Sequence, residues 1–222
     1  GALSDEQLQG ALDRFGLGRL VSAEPLTNGL FGQNLMLETS SGAYVFRGAP
    51  HWDLDGEDDW QFQKERWFSR TVHESPGGPS VPWPYLLDES RDLFGWGFAI
   101  QPRLPGEVLA LSNPRPYSAP ELAEQSRQLG AALAQLHTLT LPEAGRHNPR
   151  TDAIQPFATP YAEYIRTTIH DLLARSVTAS KSTTEADVAW ACSVLEQARP
   201  ALEQPFTPTV VHLDFGFHNV LY

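Results

Sequence analysis

The segment His212-Leu-Asp214-Phe-Gly-Phe-His218-Asn219 concentrates the side chains best suited to chemistry. It follows the apolar run Thr209-Val-Val, so the pattern H-x-D-x-x-x-x-N closes an expected strand. An aspartate in such a place can orient an acceptor hydroxyl and take its proton. An asparagine a few residues on can ligate Mg²⁺ through a neutral oxygen without quenching that carboxylate. This is the division of labour needed to move a phosphoryl group onto an alcohol. The same stretch admits another chemistry, a metal-dependent hydrolase using His212, Asp214 and His218. Sites of that kind draw further histidine or carboxylate ligands from other strands. Cys192 is the only cysteine, which excludes an internal disulfide framework and a cysteine-based zinc knuckle.

The elements that must hold these residues fall into two styles. Ser4-x-x-Gln7 reads as a capping box, followed by Leu8, Ala11, Leu12 and Phe15 at helical spacing and closed by Gly16. Short strands are expected at 34–39 and 44–47 around the turn Ser40-Ser41-Gly42, and another at 97–101. One helix is expected among them, around Gln61 to Val72. Beyond Leu104-Pro105-Gly106 the pattern turns helical. Ser118-Ala-Pro-Glu121 is a second capping box, and Leu122, Leu129, Leu133 and Leu136 form a stripe expected to be buried. Residues 140–157 are expected to be loop. A helix follows from Thr159-Pro160, then a serine- and threonine-rich linker over Ser176 to Thr184. A last helix, with Val188, Cys192 and Leu195 on one face, is expected to stop at Pro200. The fold class is α+β, with a β-rich lobe over 1–103 and a mainly helical lobe over 104–222.

Sixteen basic against 27 acidic residues give the 222-residue chain a formal charge of −11. That balance argues against sequence-independent nucleic-acid binding and suits a cationic substrate. No apolar run approaches the ~20 residues that cross a bilayer, so a membrane partner is not expected and a cytoplasmic location is.

In order and spacing, several segments resemble the aminoglycoside phosphotransferase and choline kinase group, which has a protein-kinase-like fold. Residues 209–222 resemble, in order, its catalytic loop and the strand that leads into it, with Leu213 where glycine is usual. Leu26-Thr-Asn28-Gly29-Leu-Phe-Gly32 resembles the loop that closes over nucleotide phosphates. Tyr44-Val-Phe-Arg47 resembles the strand whose basic residue contacts phosphate, and Phe62-Gln-Lys-Glu65 the helix whose glutamate pairs with it. Phe98 to Gly106 resembles the hinge, and Leu129 to His137 the long helix of the second lobe. His137 is expected to be a packed core histidine.

The resemblance implies a small-molecule kinase that moves the γ-phosphoryl group of ATP or GTP, with Mg²⁺, to a small hydroxyl compound. Asp214 would be the catalytic base and Asn219 the metal ligand. Asn28, Gly29, Gly32, Arg47 and Glu65 would handle the nucleotide. It also implies a second acidic metal motif roughly 10 to 20 residues after the catalytic loop. No residue follows Tyr222, so the chain is expected to be a partial kinase fold with little or no activity of its own. The acidic run Asp53 to Asp59 reads as a solvated loop. A non-catalytic nucleotide- or ligand-binding module is the other reading of the same pattern.

Overall fold

The computed structural model describes residues 3–26, 33–48, 60–108, 117–180 and 182–222. Asn28, Gly29, Gly32 and the acidic run 53–59 lie outside them. Helix α1 (Asp5–Phe15) starts at the Ser4–Gln7 capping box and ends at Gly16, whose φ of 67° is the left-handed conformation that glycine adopts freely. Five antiparallel strands follow. They are β1 (Leu20–Pro25), β2 (Asn34–Thr39), β3 (Gly42–Arg47), β4 (Leu86–Asp88) and β5 (Phe98–Pro102), in the order β1-β2-β3-β5-β4. Helix α2 (Trp60–His73) lies in sequence between β3 and β4.

Alternation along the strands gives this sheet two different faces. Phe46 on β3 is fully buried, opposite Leu35 and Ile100, and packs with Leu8, Leu12, Leu37, Trp96 and Phe98 beneath α1. Its ring stacks on Phe98 at 5.5 Å and meets Phe94 and Trp96 edge-on. One residue further, Arg47 points to the other face, in register with Ala99. Ala99 packs there with Phe62 of α2 and with Tyr85. Arg14 of α1 binds Asp88 at 2.5 Å and Asp92 at 2.7 Å, which ties the helix to the β4 edge.

Close packing divides the chain into two units. The first comprises Gly1–Leu139, Pro149–Asp152 and Val210–Tyr222, so the boundary expected at 103/104 falls inside it. It contains α3 (Ala119–Leu136), which begins at the predicted Ser118–Glu121 capping box. Only Leu136 of its leucine stripe is buried; Leu122, Leu129 and Leu133 are half-covered. His137 is the exposed C-cap of α3 rather than a core residue.

The second unit comprises Thr140–Asn148 and Ala153–Thr209. It corrects three expectations. Part of the segment 140–157 forms a hairpin, β6 (Gly145–Asn148) with β7 (Ala153–Pro156). Its polar residues carry no alternating pattern. Close backbone approach marks it instead, since a Cβ on Gly145 would collide with the Gln155 carbonyl oxygen, and Asn148 Nδ2 donates across to Gln155 Oε1 at 3.0 Å. Helix α4 (Tyr161–Ala179) extends into the expected linker, where Thr178 Oγ1 donates to Ala174 O and so satisfies itself on the helix. Helix α5 (Glu185–Leu202) starts at a Thr184–Asp187 capping box and runs past Pro200. Pro200 lacks the donor that would reach Glu196 and crowds that carbonyl, but the helix continues for two further residues and Glu203 N still reaches Arg199 O at 3.0 Å.

Two measurements check this packing. Phe46→Ala should lower the free energy of unfolding by about 3–5 kcal/mol in chemical denaturation, the usual cost of an emptied aromatic site. The second is a pH series on Arg14→Met. Hydrogen bonds from Arg14, then Ser90, hold Asp92 at about 2 against an ordinary 3.8. A depressed carboxylate stabilises above its unfolded value and loses that contribution as pH falls through its folded one. The melting-temperature gap between wild type and Arg14→Met should therefore persist above pH 3.8 and close toward pH 2.

Candidate active site

Arg47 ends β3, in register with Asn34 at the start of β2. At the same end of the sheet, Leu26 N donates to Asn34 O and Gly48 N to Gln33 O. The flanks of the glycine-containing stretch 27–32 therefore lie beside Arg47. Arg47 Nη2 reaches Glu65 Oε1 at 2.9 Å. Helical geometry explains the pairing: Glu65 is three residues after buried Phe62, so it shares the face of α2 that covers Ala99. The carboxylate has two further donors. Gln61 Nε2 donates to Oε1 at 2.9 Å, and the Tyr85 hydroxyl donates to Oε2 at 2.7 Å. Arg47 Nε is buried with no hydrogen-bond partner among the described residues. A guanidinium steered from one side, with a buried donor unused, is suited to receive an anion.

The same face of α2 also reaches the segment at the end of the chain. Phe68, one turn beyond Glu65, meets the His212 ring edge-on at 5.9 Å, and Phe215 meets it from another side at 5.5 Å. His212 thus packs against two aromatic rings two residues before Asp214, while its Nδ1 is buried and unpartnered among the described residues. The expected strand at 209–213 is reduced to one bridge, Thr209 with Thr140, beside a bond from Val210 N to Leu139 O. Leu139 to Leu141 run alongside Pro208 to Val210, and the pairing goes no further than that single bridge. After the loop, Tyr222 and Glu107 exchange both backbone hydrogen bonds, at 3.0 and 3.1 Å. Gly106 makes this junction possible: its φ is 120°, and a Cβ there would stand 2.8 Å from Tyr222 O.

Between these anchors the loop turns sharply. Leu213 has φ of 68° and is 92% exposed, a left-handed conformation that a branched residue adopts only at a cost of about 1–2 kcal/mol. Glycine at this point would carry no such strain, which explains why it is usual in the resembling motif. The turn leads to a short 3₁₀ helix, Phe217–Asn219. Asn219 Nδ2 donates at 2.8 Å to both the Asp214 carbonyl and Asp214 Oδ2. Only the nitrogen can serve these two acceptors, so the amide orientation is determined and its oxygen is left for another partner. Among the described residues that oxygen makes no hydrogen bond. It is a hard neutral donor, the type that fits Mg²⁺.

His218 Nε2 lies 3.4 Å from Asp214 Oδ1, and both side chains are well exposed. The structure does not bring together the histidine set of a hydrolase, because His212 faces aromatic rings and His218 faces Asp214. Among the described residues no group of three or more His, Cys, Asp or Glu side chains could hold a metal ion, and no helix is long and apolar enough to cross a membrane. Sequence reasoning missed Tyr85 and Phe68. Neither belongs to a spaced motif, and only packing brings them to Glu65 and His212.

Comparison with known proteins agrees with this architecture. The family model described as the phosphotransferase enzyme family matches residues 22–222. A search of curated proteins finds no match. Among solved structures, a putative aminoglycoside phosphotransferase from Ralstonia eutropha JMP134 superposes with a TM-score of 0.65 at 16% identity, over 100% of this chain and 61% of that one. A thermostable mutant of aminoglycoside phosphotransferase APH(4)-Ia, in ternary complex with ADP and hygromycin B, gives 0.67 at 20% identity, over 96% and 65%. The GDP complex of aminoglycoside 2'-phosphotransferase-IIIa gives 0.63 at 13% identity, over 95% and 64%. The chain thus spans a little under two thirds of the length of these three relatives. With an antiparallel sheet followed by helices in a kinase-like fold, and a family match running from the first strand to the last residue, this chain belongs to the phosphotransferase enzyme family.

Proposed function

We propose that this protein is a small-molecule kinase, transferring the γ-phosphoryl group of ATP or GTP to a hydroxyl of a small, cationic acceptor. One observation carries the reading. A single face of α2 holds Glu65 against Arg47 and Phe68 against His212, so one helix connects the anion-binding arginine to the loop bearing Asp214 and Asn219. In this reading residues 1–103 form the nucleotide lobe and 104–222 the lobe that carries the catalytic loop.

Each residue then has a defined task. Arg47, steered by Glu65, neutralises phosphate charge through its unused donors. The stretch containing Asn28, Gly29 and Gly32 closes over the phosphates with backbone N–H groups. Asp214 orients the acceptor hydroxyl and accepts its proton. Asn219 positions Asp214 through its amide nitrogen and offers its oxygen to the metal. Bound Mg²⁺ supplies charge neutralisation on the phosphate oxygens. The described residues provide little other metal-binding chemistry. The solved relatives crystallised with ADP and hygromycin B or with GDP support a nucleotide and an aminoglycoside-like acceptor. Two APH(4)-Ia structures carry alanine for an aspartate or for an asparagine five residues later, the separation of Asp214 and Asn219. A net charge of −11 favours approach of a polycationic acceptor. A cytoplasmic location, where nucleoside triphosphate is abundant, completes the proposal.

The test is a phosphoryl-transfer assay with a panel of aminoglycosides and amino alcohols, using Mg-ATP and Mg-GTP. Asp214→Asn should lower kcat about 10²- to 10⁴-fold, the range for loss of a general base. Nucleotide affinity should stay within about twofold, because the substituted group does not touch phosphate in this scheme. Unchanged turnover in Asp214→Asn refutes the assignment. Arg47→Ala should behave in the opposite way, weakening nucleotide binding by about tenfold or more.

A further inference from the structure

We infer that Tyr85 is a positioning residue for the nucleotide, acting through Glu65 on Arg47. This inference rests on the proposed reading of the Arg47–Glu65 pair. Tyr85 is 4% exposed and packs with Phe62 and Ala99, with Trp83 and Leu87 beside them. Its ring fills the space between α2 and the sheet, for which phenylalanine would suffice. The hydroxyl makes one contact of another kind, a 2.7 Å hydrogen bond to Glu65 Oε2. The opposite carboxylate oxygen receives Arg47 and Gln61. A glutamate on a helix surface samples several rotamers, and a single half-exposed ion pair restrains it weakly. A rigid, buried donor on the far oxygen changes that, because it fixes the plane of the carboxylate and hence the direction from which Arg47 is held.

Burial, then the charge of Glu65, pushes the Tyr85 phenol well above its ordinary value. The group therefore stays protonated and donates at any pH at which the protein works. Arg47 Nε, buried and unpartnered among the described residues, is the donor whose aim depends on this arrangement. Without the hydroxyl, Glu65 Oε2 would face an apolar pocket with no donor, and the side chain would turn toward water, taking Arg47 with it.

The experiment is a thermodynamic cycle on nucleotide affinity. Mg-AMP-PNP is titrated calorimetrically into wild type, Tyr85→Phe, Glu65→Gln and the double variant, and thermal unfolding of each is recorded. Tyr85→Phe should unfold cooperatively and bind the nucleotide about tenfold more weakly, the scale of one hydrogen bond to a charged group. In the Glu65→Gln background the same change should cost less than about twofold, since the route through the carboxylate is already cut. Wild-type affinity in Tyr85→Phe overturns the inference, as does an equal loss in both backgrounds. A Tyr85→Phe chain that fails to fold also overturns it, by making the hydroxyl a requirement of the core. Wild type that binds no nucleotide overturns the proposed function itself, an outcome separate from these.

Discussion

The contact between Arg47 and Glu65 is the constraint around which this molecule is arranged. It joins the last residue of a central strand to the helix inserted between β3 and β4, and it does so in a half-buried setting. A charge in such a setting needs a partner and fixed geometry. The surrounding structure provides both. Ala99 gives the two side chains room because it is small and faces them in register, and Phe62 and Tyr85 form the apolar floor. The sheet can offer this face only because its other face is fully occupied by Phe46, Phe98 and Ile100 against α1. One residue of slip in β3 would exchange the two, placing a guanidinium in the core and a phenylalanine in the site. The helix α1 core and the arginine paired with Glu65 are thus two consequences of one register.

A second constraint acts on the loop around Asp214. It is short, it reverses direction, and its end is fastened by the paired backbones of Tyr222 and Glu107. The reversal falls on Leu213, an exposed residue in a left-handed conformation. Strain of this kind persists only where neighbours over-determine the path. Here the neighbours are the aromatic rings packed on His212, the Asn219 amide closing on Asp214, and the junction at Gly106. Together they present the aspartate to solvent at 74% exposure while holding its backbone.

Helix starts were legible because their signals are local. Ser4 with Gln7 and Ser118 with Glu121 are reciprocal caps that need nothing beyond four consecutive residues. The strands with one buried face, β2, β3 and β5, were legible for a similar reason. The strands that escaped notice have no such pattern. β1 is an edge strand with mixed burial, β4 is three residues long, and β6 and β7 are polar, joined by their backbone pairing and an Asn148–Gln155 side-chain hydrogen bond. Pro200 misled because the cost of a proline depends on its distance from the helix end, which sequence does not state.

For the site, the order H-x-D-x-x-x-x-N suggested phosphoryl transfer, and the family resemblance of the segments bearing Arg47 and Glu65 supplied the rest, because side chains on one loop or one strand keep their separations in the sequence. What only the tertiary structure decided is which partners those groups meet. Tyr85 on Glu65, Phe68 on His212 and Tyr222 on Glu107 join residues 20, 144 and 115 positions apart or close to it. No local rule links such residues. Their proximity follows from sheet register and from the face a helix turns to it, and these are set only when the whole core closes.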